Sequence, residues 1–230
     1  MSSTPSHAAL DAVRARLDAA ARAAVRPLPP RLLAVGKLHP ASAIAALADA
    51  GQRAFGENYV QEAAGKIEAL AGRGLEWHLI GHLQSNKARQ AAAVFDWVQT
   101  VDRMKLVEAL AAHRPPARGA LNVLLQVNID DESSKHGCTP SEVPALAAAV
   151  RAAPSLRLRG LMAIPAPHAE PARRRDAFAR MRRLFDTLAG QDPAIDTLSM
   201  GMSEDLELAV AEGATMVRVG SALFGARPAR

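Results

Sequence analysis

Eight short apolar runs recur along the chain, each followed by a longer alanine-rich amphipathic segment, and this alternation constrains the fold more than any other feature. The runs predict strands at 32–36 (LLAVG), 53–56 (RAFG), 76–80 (EWHLI), 96–100 (DWVQT), 121–128 (LNVLLQVN), 156–161 (LRLRGL), 196–199 (DTLS) and 215–219 (TMVRV). Between them, apolar residues at helical spacing predict helices at about 41–50, 58–71, 85–93, 103–113, 140–152, 172–189 and 203–212. Another helix, over 7–25, precedes the first strand and is stopped by RPLPPR. Ser42, Ser85, Asp102 and Thr139-Pro140 are the expected helix caps. Strands and helices alternating through short links imply parallel strands with right-handed crossovers. Eight such units in 230 residues predict an α/β protein with a single (β/α)8 TIM barrel as its one domain. The leading helix spans 7–25 and the barrel 31–225, with mobile residues expected at 1–6 and 226–230. An open doubly wound sheet is the competitor, but no GxGxxG follows the first strand and no P-loop pattern occurs.

Composition removes several classes of function. The one cysteine, Cys138, rules out an intramolecular disulfide and a thiolate metal cluster, as in a reducing cytoplasm. No apolar run approaches the ~20 residues of a membrane-spanning helix. The N-terminus lacks a basic segment followed by an apolar core, so an unexported cytoplasmic protein with no membrane partner is expected. Lys and Arg number 28 against 23 Asp and Glu, and much of the excess lies in ARRRDAFARMRR (172–183). Phe178, Met181 and Phe185 recur there at helical spacing, which favours a solvated amphipathic helix over a nucleic-acid patch. Aromatics at 3% leave little surface for base stacking, so no nucleic-acid partner is expected.

In a parallel barrel the working groups lie at the C-terminal ends of the strands and in the loops after them. That rule selects Lys37, Glu57-Asn58, Gly81-His82, Asp102-Arg103, Asn128 and the loop after it, Ala163-Ile164-Pro165, Ser199-Met200-Gly201, and Arg218 with Gly220-Ser221. An ammonium at the end of an inner strand is costly to desolvate, so Lys37 is either paired or poised as a neutral nucleophile toward aldehydes. Glycines and small hydroxyl residues follow the last two strands, at Ser199-Met200-Gly201 and Gly220-Ser221. Loops in those positions are a recurrent phosphate site, because glycine lets backbone N–H groups approach an anion. Strand alternation turns Arg218 away from Val217 and Val219 and into the barrel, where it needs a carboxylate or a ligand acceptor. Together these residues describe a site for a phosphorylated aldehyde.

Other groups read as structural. The loop DDESSKHGC (130–138) does not match a calcium loop and is expected to be a solvated lid. His78 and His82 fall on and after a strand rather than on one helix face, so no metal site is expected, and Cys138 has no assigned partner.

The blocks AVGKLHP (34–40), FGENYVQE (55–62), WHLIGHLQSNKAR (77–89), QVNIDDESSKHG (126–137), RGLMAIP (159–165) and LSMGMSEDLELAVAEGATMVRVGSALFG (198–225) resemble the pyridoxal phosphate homeostasis proteins, also called the YggS or PROSC family. The resemblance runs in order from about residue 31 to 227. It implies a barrel like the N-terminal domain of alanine racemase and the fold-type III enzymes of pyridoxal 5'-phosphate (PLP). By that resemblance Lys37 would hold PLP as an internal aldimine. Ser199, Gly220 and Ser221 would hold the phosphate, Arg218 would approach the pyridine nitrogen, and Asn58 and His82 would line the pocket. Members of the family more often carry serine before this lysine; here Gly36 removes a hydroxyl and loosens the backbone.

The resemblance implies a role in vitamin B6 balance, storing or delivering PLP without robust turnover. Racemisation needs acid and base groups on opposite faces of the reacting carbon, the second supplied in alanine racemase by a tyrosine of another domain. The chain runs to residue 230, and its one tyrosine, Tyr59, opens the second barrel helix. An arginine at the pyridine nitrogen would also leave the ring a weaker electron sink. Amino acids and apo-enzymes that accept PLP are the expected further partners, with Lys135 as a transfer point, and a monomer is expected. The alternatives are a PLP-dependent amino-acid racemase and a phosphometabolite barrel enzyme without PLP.

Overall fold

The computed structural model describes residues 5–132, 135–166 and 170–225. The expected mobile tail at 226–230 and the first four residues of the expected mobile start lie outside them. Eight parallel strands pair in sequence order, and β1 pairs with β8 to close the barrel. They are β1 Arg31–Val35, β2 Ala54–Glu57, β3 Glu76–Leu79, β4 Trp97–Val101, β5 Leu121–Gln126, β6 Leu156–Met162, β7 Thr197–Ser199 and β8 Met216–Val219. Each overlaps its sequence-predicted run, because a strand covered on both sides must be nearly continuous in apolar residues.

Helix α1 (Pro5–Ala23) precedes β1, and α2 (Ala41–Asp49) to α8 (Leu206–Ala211) follow successive strands. The intervening helices are α3 Val60–Ala69, α4 Ala88–Val94, α5 Met104–His113, α6 Val143–Arg151 and α7 Pro171–Ala189. The main core lies between barrel and helices, while Leu33, Ala54, Ile80 and Met216, and then Trp97, Leu124 and Met162, form two smaller clusters. Along α1, Leu10, Val13, Leu17, Ala20 and Ala21 are buried and the helix packs against α2, α8 and a short terminal helix α9 (Ser221–Phe224). The sequence pattern missed α9 and the 3-10 turn Pro116–Arg118 because neither is long enough to show a period.

Three expected caps are corrected. Pro40 precedes α2 and Ser42 lies inside it; Ser85 is the first residue of a 3-10 turn preceded by Gln84; Arg103 precedes α5 while Asp102 pairs with its guanidinium. In these loops the approach from the strand, not a side-chain oxygen, sets the helix start. Thr139 does cap, with Pro140 next and the Glu142 carboxylate accepting the Thr139 N–H at 2.8 Å. The 130–138 loop is tied down where it is described, against the expectation of a solvated lid. Asp130 accepts the Ala166 N–H at 2.7 Å and an Arg180 N–H at 2.7 Å, and Asn128 donates to Glu132 O at 2.8 Å. Ser133 and Ser134 of that loop lie outside the described residues.

Candidate functional site

A cleft of about 530 Å³ opens at the C-terminal ends of the strands. Lys37, Asn58, Arg218, Gly220 and Ser221 line it together, with Val35, Ile80, Ile164 and Pro165 as apolar wall. Lys37 stands in a turn just beyond β1 and is half-buried. The next residue, Leu38, has φ of 65°, a left-handed conformation that costs a non-glycine residue roughly 1–2 kcal/mol. Its N–H donates to Glu62 Oε1 at 2.6 Å.

Beneath that turn lies a buried charged cluster. Lys66 Nζ, from α3, donates to Gly36 O at 2.8 Å, to Glu57 Oε1 at 2.8 Å and to Glu62 Oε1 at 2.7 Å. The backbone on both sides of Lys37 is therefore gripped by one network. Burial pushes the Glu57 carboxyl up to about 7, outweighing the pull of Lys66, and Glu57 Oε2 has no partner among the described residues.

Arg218 is buried at the inner face of β8. Its guanidinium donates to Ser199 Oγ at 2.8 Å and to Ala163 O at 2.9 Å. Ser199 Oγ donates to Gln99 Oε1 at 2.7 Å, and Gln99 Nε2 lies 2.9 Å from His78 Nδ1. Burial pushes His78 down, so the imidazole is held neutral and its Nδ1 accepts from Gln99. This chain crosses the barrel interior and fixes the guanidinium plane. Burial also pulls Arg218 down to about 10, with Asp205 opposing, which leaves it charged at neutral pH.

Two candidate residues sit elsewhere. Ser199 is fully buried and spends its hydroxyl on Gln99 and Arg218, so it supports the arginine and does not line the cleft. His82 is exposed and stacks on His136 with ring centroids 3.6 Å apart; burial, then His136, push it down. His82, Asp102 and His136 bring ligand atoms within 4.8 Å of one another, although Asp102 is already paired with Arg103. Burial drives the Cys138 thiol up to about 12, consistent with an inert side chain.

Residues that strand-end reasoning passed over complete the site. The loop Met202–Asp205 lines the cleft after β7, and Arg174 reaches it from the first turn of α7. His39 also lines it and stacks on Phe224 of α9 at 4.8 Å. Lys66 and Glu62 carry the i, i+4 spacing of an ordinary surface pair, which hid their buried role.

The chain matches the family model described as alanine racemase, N-terminal domain, over residues 8–228. It is 55% identical over 216 residues to the pyridoxal phosphate homeostasis protein of Pseudomonas aeruginosa, covering 94% of this chain and 93% of that protein. It is 53% identical over 219 residues to the Escherichia coli protein of the same name, covering 94% of each. The solved structure of PipY from Synechococcus elongatus with PLP bound aligns with a TM-score of 0.82 at 38% identity, covering 96% of this chain and 100% of that one. Alanine racemase of Corynebacterium glutamicum shares the fold, with a TM-score of 0.69 at 19% identity over 95% of this chain and 61% of its own. The chain belongs to the alanine racemase N-terminal-domain family and, within it, to the pyridoxal phosphate homeostasis proteins.

Proposed function

We propose that this protein binds PLP at the barrel mouth and stores or delivers it, acting as a carrier without robust turnover. The observation that carries the reading is the meeting of the Lys37 amine and the buried Arg218 guanidinium in one cleft with Gly220 and Ser221. The donor set fits the group. Gly220 and Ser221 open the first turn of α9, where backbone N–H groups lack intrahelical acceptors and suit a phosphate. Asn58 lines the same cleft, and its buried Oδ1 has no partner among the described residues.

When bound, PLP supplies an aldehyde carbon that condenses reversibly with a neutral amine. Lys37 would supply the amine, on a turn that Glu62 and Lys66 hold. Arg218 would donate toward the ring nitrogen of the bound group and, charged at neutral pH, would not hand over a proton. Ser199 and Gln99 keep its plane fixed. Val35, Ile80, Ile164 and Pro165 give the cleft an apolar wall.

The proposal includes a cytoplasmic monomer that passes PLP to apo-enzymes. Ile164 and Met202 are exposed at the rim, which leaves the cleft reachable by a partner. No helix of the described residues is long and apolar enough to cross a membrane. The test is the visible spectrum of the full chain after adding PLP, followed by borohydride reduction and peptide mass analysis. A chromophore that becomes a stable adduct on Lys37, and is lost in Lys37→Ala, is expected. No chromophore in the wild type would reject the reading.

A further inference from the structure

We propose that Arg174 forms an oxyanion-binding subsite on the α7 side of the cleft, beyond the groups assigned to PLP above. The inference rests on the proposed function. Its starting point is the way α7 spends its arginines. Arg173 pairs with Glu170, Arg175 with Glu212, Arg180 with Asp176 and Asp130, and Arg182 with Asp186. Arg183 stands exposed in water.

Arg174 differs from all of these. It is half-buried, its Nε is out of contact with solvent, and that atom has no hydrogen-bond partner among the described residues. A buried N–H without an acceptor costs free energy, so the position implies an acceptor that the protein itself does not supply. The carboxylates that share the cleft do not fill the role. Asp205 Oδ1 accepts the Met202 N–H at 2.6 Å, and no ion pair joins Arg174 to Asp205 or Glu204 among the described residues. The side chain lines the same cleft as Lys37 and Arg218.

A guanidinium is a planar fork matched to phosphate and carboxylate oxygens. Two sources offer that chemistry here: the phosphate ester of PLP and the carboxylate of an amino acid brought to the loaded protein. Either would place two oxygens against the fork and satisfy the buried Nε. The subsite would then select ligands by their anion as well as by their aldehyde or amine.

The experiment measures binding by visible absorbance in the full chain for wild type, Arg174→Ala, Arg174→Lys and Arg183→Ala. The first arm compares pyridoxal 5'-phosphate with pyridoxal. In the second, serine is compared with ethanolamine on the loaded protein. Arg174→Ala is expected to weaken one anion-bearing ligand roughly tenfold or more while sparing its anion-free counterpart. Arg174→Lys should restore part of the loss, and Arg183→Ala, which removes the same charge in open solvent, should change nothing. A phosphate-selective loss identifies PLP as the source; a carboxylate-selective loss identifies the amino acid. Affinities within about twofold of wild type for all four ligands, or equal losses with and without the anion, overturn the proposal. Circular dichroism and thermal midpoint separate either result from misfolding, and Arg174→Lys provides a second folded variant. Failure of the wild type to take up PLP would instead sink the proposed function, and this inference with it.

Discussion

A Cβ placed on Gly36 would lie 2.3 Å from Ile44 Cδ1 and 2.8 Å from Glu57 Oε1. The space that serine would fill beside Lys37 is thus occupied here by a methyl from α2 and a carboxylate from β2. Ile44 is fully buried, so its side chain has little room to yield. Gly36→Ser is expected to destabilise the fold by roughly 1–3 kcal/mol, the usual cost of overpacking. Ile44→Val in the same chain removes Cδ1 and should recover much of the loss, read as the urea midpoint of the single and double variants. At this scale Lys37 and Arg218 were legible because strand ends and alternation determine where they point. Arg174 was not, since helical periodicity assigns every arginine of 172–183 to solvent and carries no sign of a cleft beside one of them. Ser199 shows the converse: the rule found the right strand end, but the barrel interior had claimed its hydroxyl.

The joint between β2 and α3 carries a buried carboxyl whose pKa rises from 4.5 to about 7 through burial. An acid shifted upward holds its proton more tightly in the folded chain than in the unfolded one. Its contribution to stability is therefore fully present below pH 4.5 and is lost as pH rises toward about 7. Glu57→Gln should flatten that part of the profile of denaturant midpoint against pH. An unchanged slope would mean that other groups set it. Sequence reading recovered this joint as a strand, a helix and a short link, with Glu57-Asn58 selected at the strand end. What it could not supply was depth, because Glu62 and Lys66 at i, i+4 look the same on a wet face as on a buried one.

Over the whole molecule, the order of elements was the most legible level, because eight alternations leave few alternative closures. The path of α1 was not legible, since an amphipathic leading helix can lie against any apolar face. In the structure it covers α8 and α9, with Leu17 buried and Arg16 bonded to Glu207 at 2.9 Å. Leu17→Ala should cost roughly 2–5 kcal/mol by thermal or chemical denaturation, with no direct effect on PLP uptake.

The Lys66 cluster also bears on chemical selectivity. Lys37, Lys66, Lys87, Lys105 and Lys135 are all the lysines of the chain, and arginine carries the remaining positive side-chain charge without offering an amine. Lys66 stands under the Lys37 turn, and its Nζ donates to three acceptors, in Gly36, Glu57 and Glu62. With its nitrogen turned into these three acceptors, it is not presented to an aldehyde entering the cleft. Of the two lysines at this turn, Lys37 lines the cleft, while Lys66 spends its nitrogen on three acceptors beneath it.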